Sequence, residues 1–185
     1  HKNLGNYKKS EEYYLEALSI RKELHGEDHP KYKSLFTSIG NLYFDKEDYN
    51  KAKEYYEQSL KYYLDKYGKR HQYYSSGLIN MQRVFSKQGD YDKAEKYLLE
   101  ALQIREEVYG VEHNKYVNMQ GRLGSLYYEM GDYKKSEEYY QDALDTRFEL
   151  YGKNHKEYAN SLVNLGWYHK NLGNYKKSEE YYLEA

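Results

Sequence analysis

The sequence predicts an all-α protein, an α-solenoid of stacked antiparallel helical hairpins. Three observations predict it. Gly5, Glu47, Gly89, Gly131 and Gly173 stand 42 residues apart, and each is followed two positions later by a tyrosine: Tyr7, Tyr49, Tyr91, Tyr133 and Tyr175. A fixed period of this size means one supersecondary unit stacked on copies of itself rather than a closed globule. Apolar or small residues fall at the third, sixth, tenth, thirteenth and fourteenth positions of each unit, the rhythm of one helix face. No strand-like alternation survives anywhere.

Each element follows from local signals. The longer helix of each unit is predicted at 6–25, 48–67, 90–109 and 132–151, with a shorter piece at 174–185. Asp48, Asp90 and Asp132 can accept hydrogen bonds from the free N–H groups at its start, as can Asn6 and Asn174. Gly26, Gly68, Gly110 and Gly152 follow its last periodic residues, where a left-handed stop is wanted. A short polar turn then ends in His29, His71, His113 or His155. The other helix is predicted at 30–45, 72–87, 114–129 and 156–171, with Pro30 in a first turn that does not need its N–H. Neither helix can bury its face alone, so pairs must stack.

Composition narrows the function classes. The net charge is -1, which gives no electrostatic argument for nucleic acid or anionic lipid. There is no cysteine, hence no disulfide, thiolate nucleophile or thiolate metal site. No apolar run approaches a membrane span, and no glycosylation acceptor occurs, which favours the cytoplasm over secretion. Leu, Ile, Val and Phe make up only about 18% of the 185 residues, and the mean hydropathy is -1.20. The 28 tyrosines take over the aliphatic role, each burying a ring while its hydroxyl reaches for the surface. No phosphate loop, His-Glu-x-x-His or Gly-x-Ser-x-Gly occurs, so the sequence does not read as an enzyme or call for a cofactor. The four turn histidines lie one per repeat, too far apart to share an ion, and read as packing or capping residues. His1 and His169 occupy the tyrosine column of the other helix and read as packing.

The text Phe36-x-x-Ile39-Gly40-x-x-Tyr43, followed by Ala52-x-x-x-Tyr56, resembles the tetratricopeptide pattern over the whole chain. The 42-residue period and Leu102-x-Ile104-Arg105 through Tyr109-Gly110-x-x-His113 resemble the kinesin-light-chain subclass. The resemblance implies a right-handed superhelix and a non-catalytic adaptor that holds a peptide or protein in a concave groove lined by the first helix of each hairpin. The groove positions it implies include Asn41, Asn80, Arg83, Asn118, Arg122, Asn160, Asn164 and Trp167. Thr37, Ile79 and Val163 fall on the same lining. Asparagines there can offer an extended peptide both a donor and an acceptor. Asn41, Asn80 and Arg122 match three positions of a carboxylate clamp, but Thr37 and Asn118 replace both clamp lysines, which argues against carboxylate capture. Tyr62, Tyr63, Tyr73 and Tyr128 fall outside the framework columns and read as exposed contact residues.

Residues 1–17 recur unchanged as 169–185. The sequence therefore reads as one array, 1–185, with repeats from 5, 47, 89, 131 and 173, taken from something longer. Neither end has the polar outer face of a capping repeat, so end-to-end self-association is a second expectation.

Overall fold

A computed structural model describes residues 4–185 of the chain. Its described residues form helices and connecting turns, without a strand. In chain order these are α1 (Leu4–His25), α2 (Pro30–Lys33), α3 (Leu35–Asp45), α4 (Tyr49–Tyr67), α5 (Gln72–Lys87), α6 (Tyr91–Tyr109), α7 (Asn114–Met130), α8 (Tyr133–Tyr151), α9 (Lys156–Asn171) and α10 (Tyr175–Glu184). The chain divides into two compact units, His1–Tyr97 and Leu98–Ala185. In the first unit α3 packs on α1 and α4, and α5 packs on α4. In the second, α8 lies against α7 and α9, and α9 against α7 and α10.

Turn chemistry explains the boundaries. Asp48, Asp90 and Asp132 accept from the backbone N–H of Lys51, Lys93 and Lys135 at 3.2, 3.3 and 3.1 Å. Asn174 makes no side-chain cap, contrary to expectation: its neutral amide gains less from a helix N-terminus than a carboxylate does. Asn6 is no cap either, because α1 begins before it. The turn histidines are caps. Nδ1 of His29, His71, His113 and His155 accepts from the N–H two residues on at 3.2, 3.2, 3.0 and 3.2 Å. Each imidazole also stacks on the ring four residues before it, His25, Tyr67, Tyr109 or Tyr151, at 4.3–4.7 Å.

Two predicted details differ. The helix expected at 30–45 breaks at Ser34, whose hydroxyl donates to the Lys31 carbonyl at 3.1 Å and competes with the helical ladder. Two of the glycines that end the longer helices are not left-handed helical: Gly68 has φ 77°, ψ 175° and Gly152 has φ 71°, ψ 178°. That extended mirror region is open essentially to glycine alone.

The core is built on tyrosine as expected. Tyr56 and Tyr140 are fully buried beneath the first helices, alongside Ile39, Leu78, Met81, Leu123 and Leu165. Glycine makes room for them: a Cβ on Gly40 would lie 2.6 Å from the Tyr56 ring, and one on Gly124 would lie 2.8 Å from Tyr140. Serines of the small-residue column add a bond, with Ser136 Oγ donating to the Gly124 carbonyl at 2.7 Å and Ser178 Oγ to that of Gly166 at 2.8 Å.

A ring pair recurs at every seam between a first helix and the longer helix after it. Tyr43 stacks on Tyr55, Phe85 on Tyr97, Tyr127 on Tyr139 and His169 on Tyr181, with centroids 5.4–5.6 Å apart and planes within 10°. Lys51, Lys93 and Lys135 lie over the first ring of three pairs at 5.0, 5.3 and 4.8 Å. His169 is thus a buried packing residue, as expected. His1 lies outside the described residues.

Candidate functional site

The first helices carry the candidate positions, and each unit has its own set. In the second unit α7 contributes Asn118 and Arg122, both exposed, and α9 contributes exposed Asn160 and Trp167 with half-buried Asn164. The two helices approach closely, since a Cβ on Gly121 would sit 3.6 Å from Asn164 Nδ2. Trp167 remains 40% exposed and is braced edge-on by Tyr128 at 4.8 Å. Val163, one turn before it, is exposed too. An indole held rigidly in water beside a second apolar side chain is ready-made contact area.

In the first unit Asn41 on α3 and Arg83 on α5 come together, with Arg83 Nη1 donating to Asn41 Oδ1 at 3.5 Å. The guanidinium lies over the Phe44 ring at 4.1 Å. Asn41 Oδ1 also accepts the Tyr56 hydroxyl at 2.7 Å, and burial pushes that phenol up to about 12. The same hydroxyl position recurs at Tyr140, paired with Ser125 Oγ at 2.8 Å. Asn80 is half-buried on α5, one turn before Arg83.

Several expectations need correction. Ile79 is buried and lines nothing open. Thr37 is tied to Ser59 Oγ at 2.6 Å and Tyr63 Oη at 3.3 Å. Asn41 and Asn118 do not offer a free donor and acceptor, because arginines hold their oxygens. Of the four tyrosines read as contact residues only Tyr73 is exposed. Tyr62, Tyr63 and Tyr67 gather with it around His71, at centroid distances of 4.5–6.4 Å.

Sequence reasoning missed Arg147. It lies on α8, only 3% exposed, and binds Asn114, Asn118 and Ser161 while Glu157 stands 3.6 Å away. Burial pushes its guanidinium down from the usual arginine range, and the Glu157 charge opposes that shift. The only signal was its column, which holds Arg21, Tyr63, Arg105 and Arg147. Among the described residues no cluster of three His, Asp or Glu side chains could hold a metal ion.

Models of the tetratricopeptide repeat match residues 1–65, 78–147 and 117–185, and a second such model matches 37–107. The chain belongs to the tetratricopeptide repeat family. Such repeats build interaction scaffolds. Among solved structures the chain is similar to BtubC (BKLC) from P. vanneervenii, at 25% identity and a TM-score of 0.76, over 97% of this chain and 72% of that one. It is also similar to a putative kinesin light chain of Podosopora anserina with nearly identical tetratricopeptide-like repeats, at 16% identity and a TM-score of 0.79, over 97% and 85%. A Rap protein complexed with competence and sporulation factor matches at 19% identity and a TM-score of 0.67, over 96% and 49%. These likenesses show the fold of a tetratricopeptide-like solenoid. No curated protein matches the chain in sequence.

Proposed function

We propose that this tetratricopeptide repeat chain is a non-enzymatic scaffold that holds an extended peptide on its first-helix faces. The observation that carries the reading is the exposed Trp167 beside Val163 on α9, which also carries Asn160 and Asn164, with Asn118 and Arg122 exposed on α7. An aromatic anchor on a face with polar side chains has the composition of a binding hot spot. Peptides selected from a random display library on the immobilised chain supply the probe. Asn160→Ala with Asn164→Ala is expected to weaken the best of them by about tenfold, the worth of roughly one or two hydrogen bonds, while leaving the Tm nearly unchanged. Unaltered affinity in that double variant rules the assignment out.

End-to-end self-association is the second reading, and one comparison favours it. Helix α10 meets α9 through half-buried Tyr181. Its counterpart in the identical text of α1, Tyr13, is 69% exposed. A second copy exchanging its α1 for this α10 continues the stack. Light scattering decides: mass rising with concentration supports it, and a constant 22.4 kDa species excludes it.

A further inference from the structure

We infer that Arg147 is a positioning residue that turns the Asn118 amide nitrogen outward, so that this part of the face takes a backbone carbonyl of an extended peptide. The inference rests on the peptide-holding reading of α7 and α9. A guanidinium carries five N–H donors and no acceptor. Arg147 Nη2 donates to Asn118 Oδ1 at 2.5 Å and to Asn114 Oδ1 at 3.2 Å, and Nε donates to Asn114 Oδ1 at 3.3 Å. Nη1 donates to Ser161 Oγ at 2.8 Å, and that hydroxyl donates in turn to the Ala143 carbonyl at 3.3 Å. The opposite amide orientation would set an NH2 group against a pure donor inside a buried cluster. Asn118 therefore keeps its oxygen in and its two N–H groups out, on an exposed side chain.

Arg21 and Arg105 of the same column donate to the main-chain carbonyls of Lys31 and Lys115 at 2.7 and 3.2 Å. Arg147 reaches a side chain of the candidate face. The complementarity follows: the outward N–H groups of Asn118 want an acceptor, and the candidate positions of α7 and α9 carry no acid to supply one. Asn118 stands where a lysine would be wanted for a carboxylate, and a neutral amide suits a neutral carbonyl.

The test uses the display-selected peptide, acetylated and amidated so that it has no terminal charge. Each backbone carbonyl is replaced in turn by a thiocarbonyl, a poorer acceptor, and each N–H in turn is methylated. One thiocarbonyl is expected to weaken binding to the unaltered chain by about tenfold and to make no difference against Asn118→Asp. The aspartate keeps an acceptor for Arg147 but has no outward donor, so its Tm is expected to hold. Arg147→Met, verified as helical by circular dichroism, is expected to abolish the same coupling; should it fail to fold, the Asn118→Asp cycle still decides. Coupling of residue 118 to a methylated N–H, or to no position, overturns the inference while leaving the peptide reading intact. Failure to select any peptide that perturbs Trp167 overturns both.

Discussion

The seam at Tyr43 and the seam at His169 share one geometry and differ in what the polar tip of the ring can do. In the first, Tyr43 stacks on Tyr55 and its hydroxyl donates to Glu11 at 2.6 Å, while Lys46 pairs with the same carboxylate. Both bonds hold the Glu11 carboxyl below the usual carboxylate range. In the other, His169 stacks on Tyr181 in the same way, yet neither ring nitrogen has a hydrogen-bond partner. Glu137 stops 3.7 Å from Nε2. The ring alone is enough for packing; the hydroxyl adds a tether that the shorter imidazole cannot reach. Even the Phe85 seam keeps the pattern, with Lys53 over the ring at 5.6 Å where the first seam has Glu11.

The largest break should come from the glycine above each second-helix tyrosine. A Cβ at Gly40 meets Tyr56 at 2.6 Å, and one at Gly166 meets Tyr182 at 2.7 Å. Tyr56 is fully buried and cannot retreat, whereas Tyr182 is 41% exposed and can swing away. Gly40→Ala is therefore expected to cost about 2 kcal/mol and Gly166→Ala less than half of that. Equal losses in chemical denaturation would show that the two seams are equally rigid.

Next comes pH. Burial lowers the His169 pKa from 6.5, with Lys177 of α10 reinforcing the shift and Glu137 of α8 opposing it; Tyr168 and Tyr181 flank the ring. A group with a lowered folded pKa contributes its full stability above the unfolded value and loses it as pH falls through the folded one. The Tm is expected to fall on acidification below about pH 6.5, before most carboxylates titrate. His169→Tyr should remove that component and restore a hydroxyl facing Glu137. An unchanged pH profile in that variant contradicts the seam comparison.

Glu11→Gln probes the tether itself. Its loss is expected to cost about 1 kcal/mol, discounted for partial exposure. Glu11 also has a lowered pKa, so its contribution should be present above about pH 4.5 and fade below it. A variant with an unaltered acid limb would assign that limb to other carboxylates. The smallest effect is a gain. Glu47 holds φ 61° where the other copies have glycine, as at Gly131 with φ 81°. Glu47→Gly is expected to stabilise by about 0.5–1 kcal/mol, and a loss would mean the Glu47 side chain matters more than its backbone.

The helices were legible because the period held at every copy and caps marked most of the starts. Asp48 and Asp132 marked starts, Gly68 and Gly152 marked stops, and the small-residue column announced the close approach of Tyr56 and Tyr140. The candidate positions were legible as places on the first helices. Their chemistry was not. Nothing local says that Asn118 has its oxygen turned in, because the cause is Arg147, 29 residues away on another helix. A lone arginine in an amphipathic helix resembles many surface arginines until its neighbours are known. Ser34 likewise gave no sign that its hydroxyl would break a helix, since serine is tolerated in helices when the hydroxyl points elsewhere.

The chain has a single tryptophan, and it stands in the middle of the proposed peptide face. Its fluorescence, followed while a display-selected peptide is added, is the most direct test. A change in Trp167 emission that saturates with the calorimetric Kd is the predicted result. Emission that stays constant while calorimetry shows the peptide fully bound would put the contact surface elsewhere.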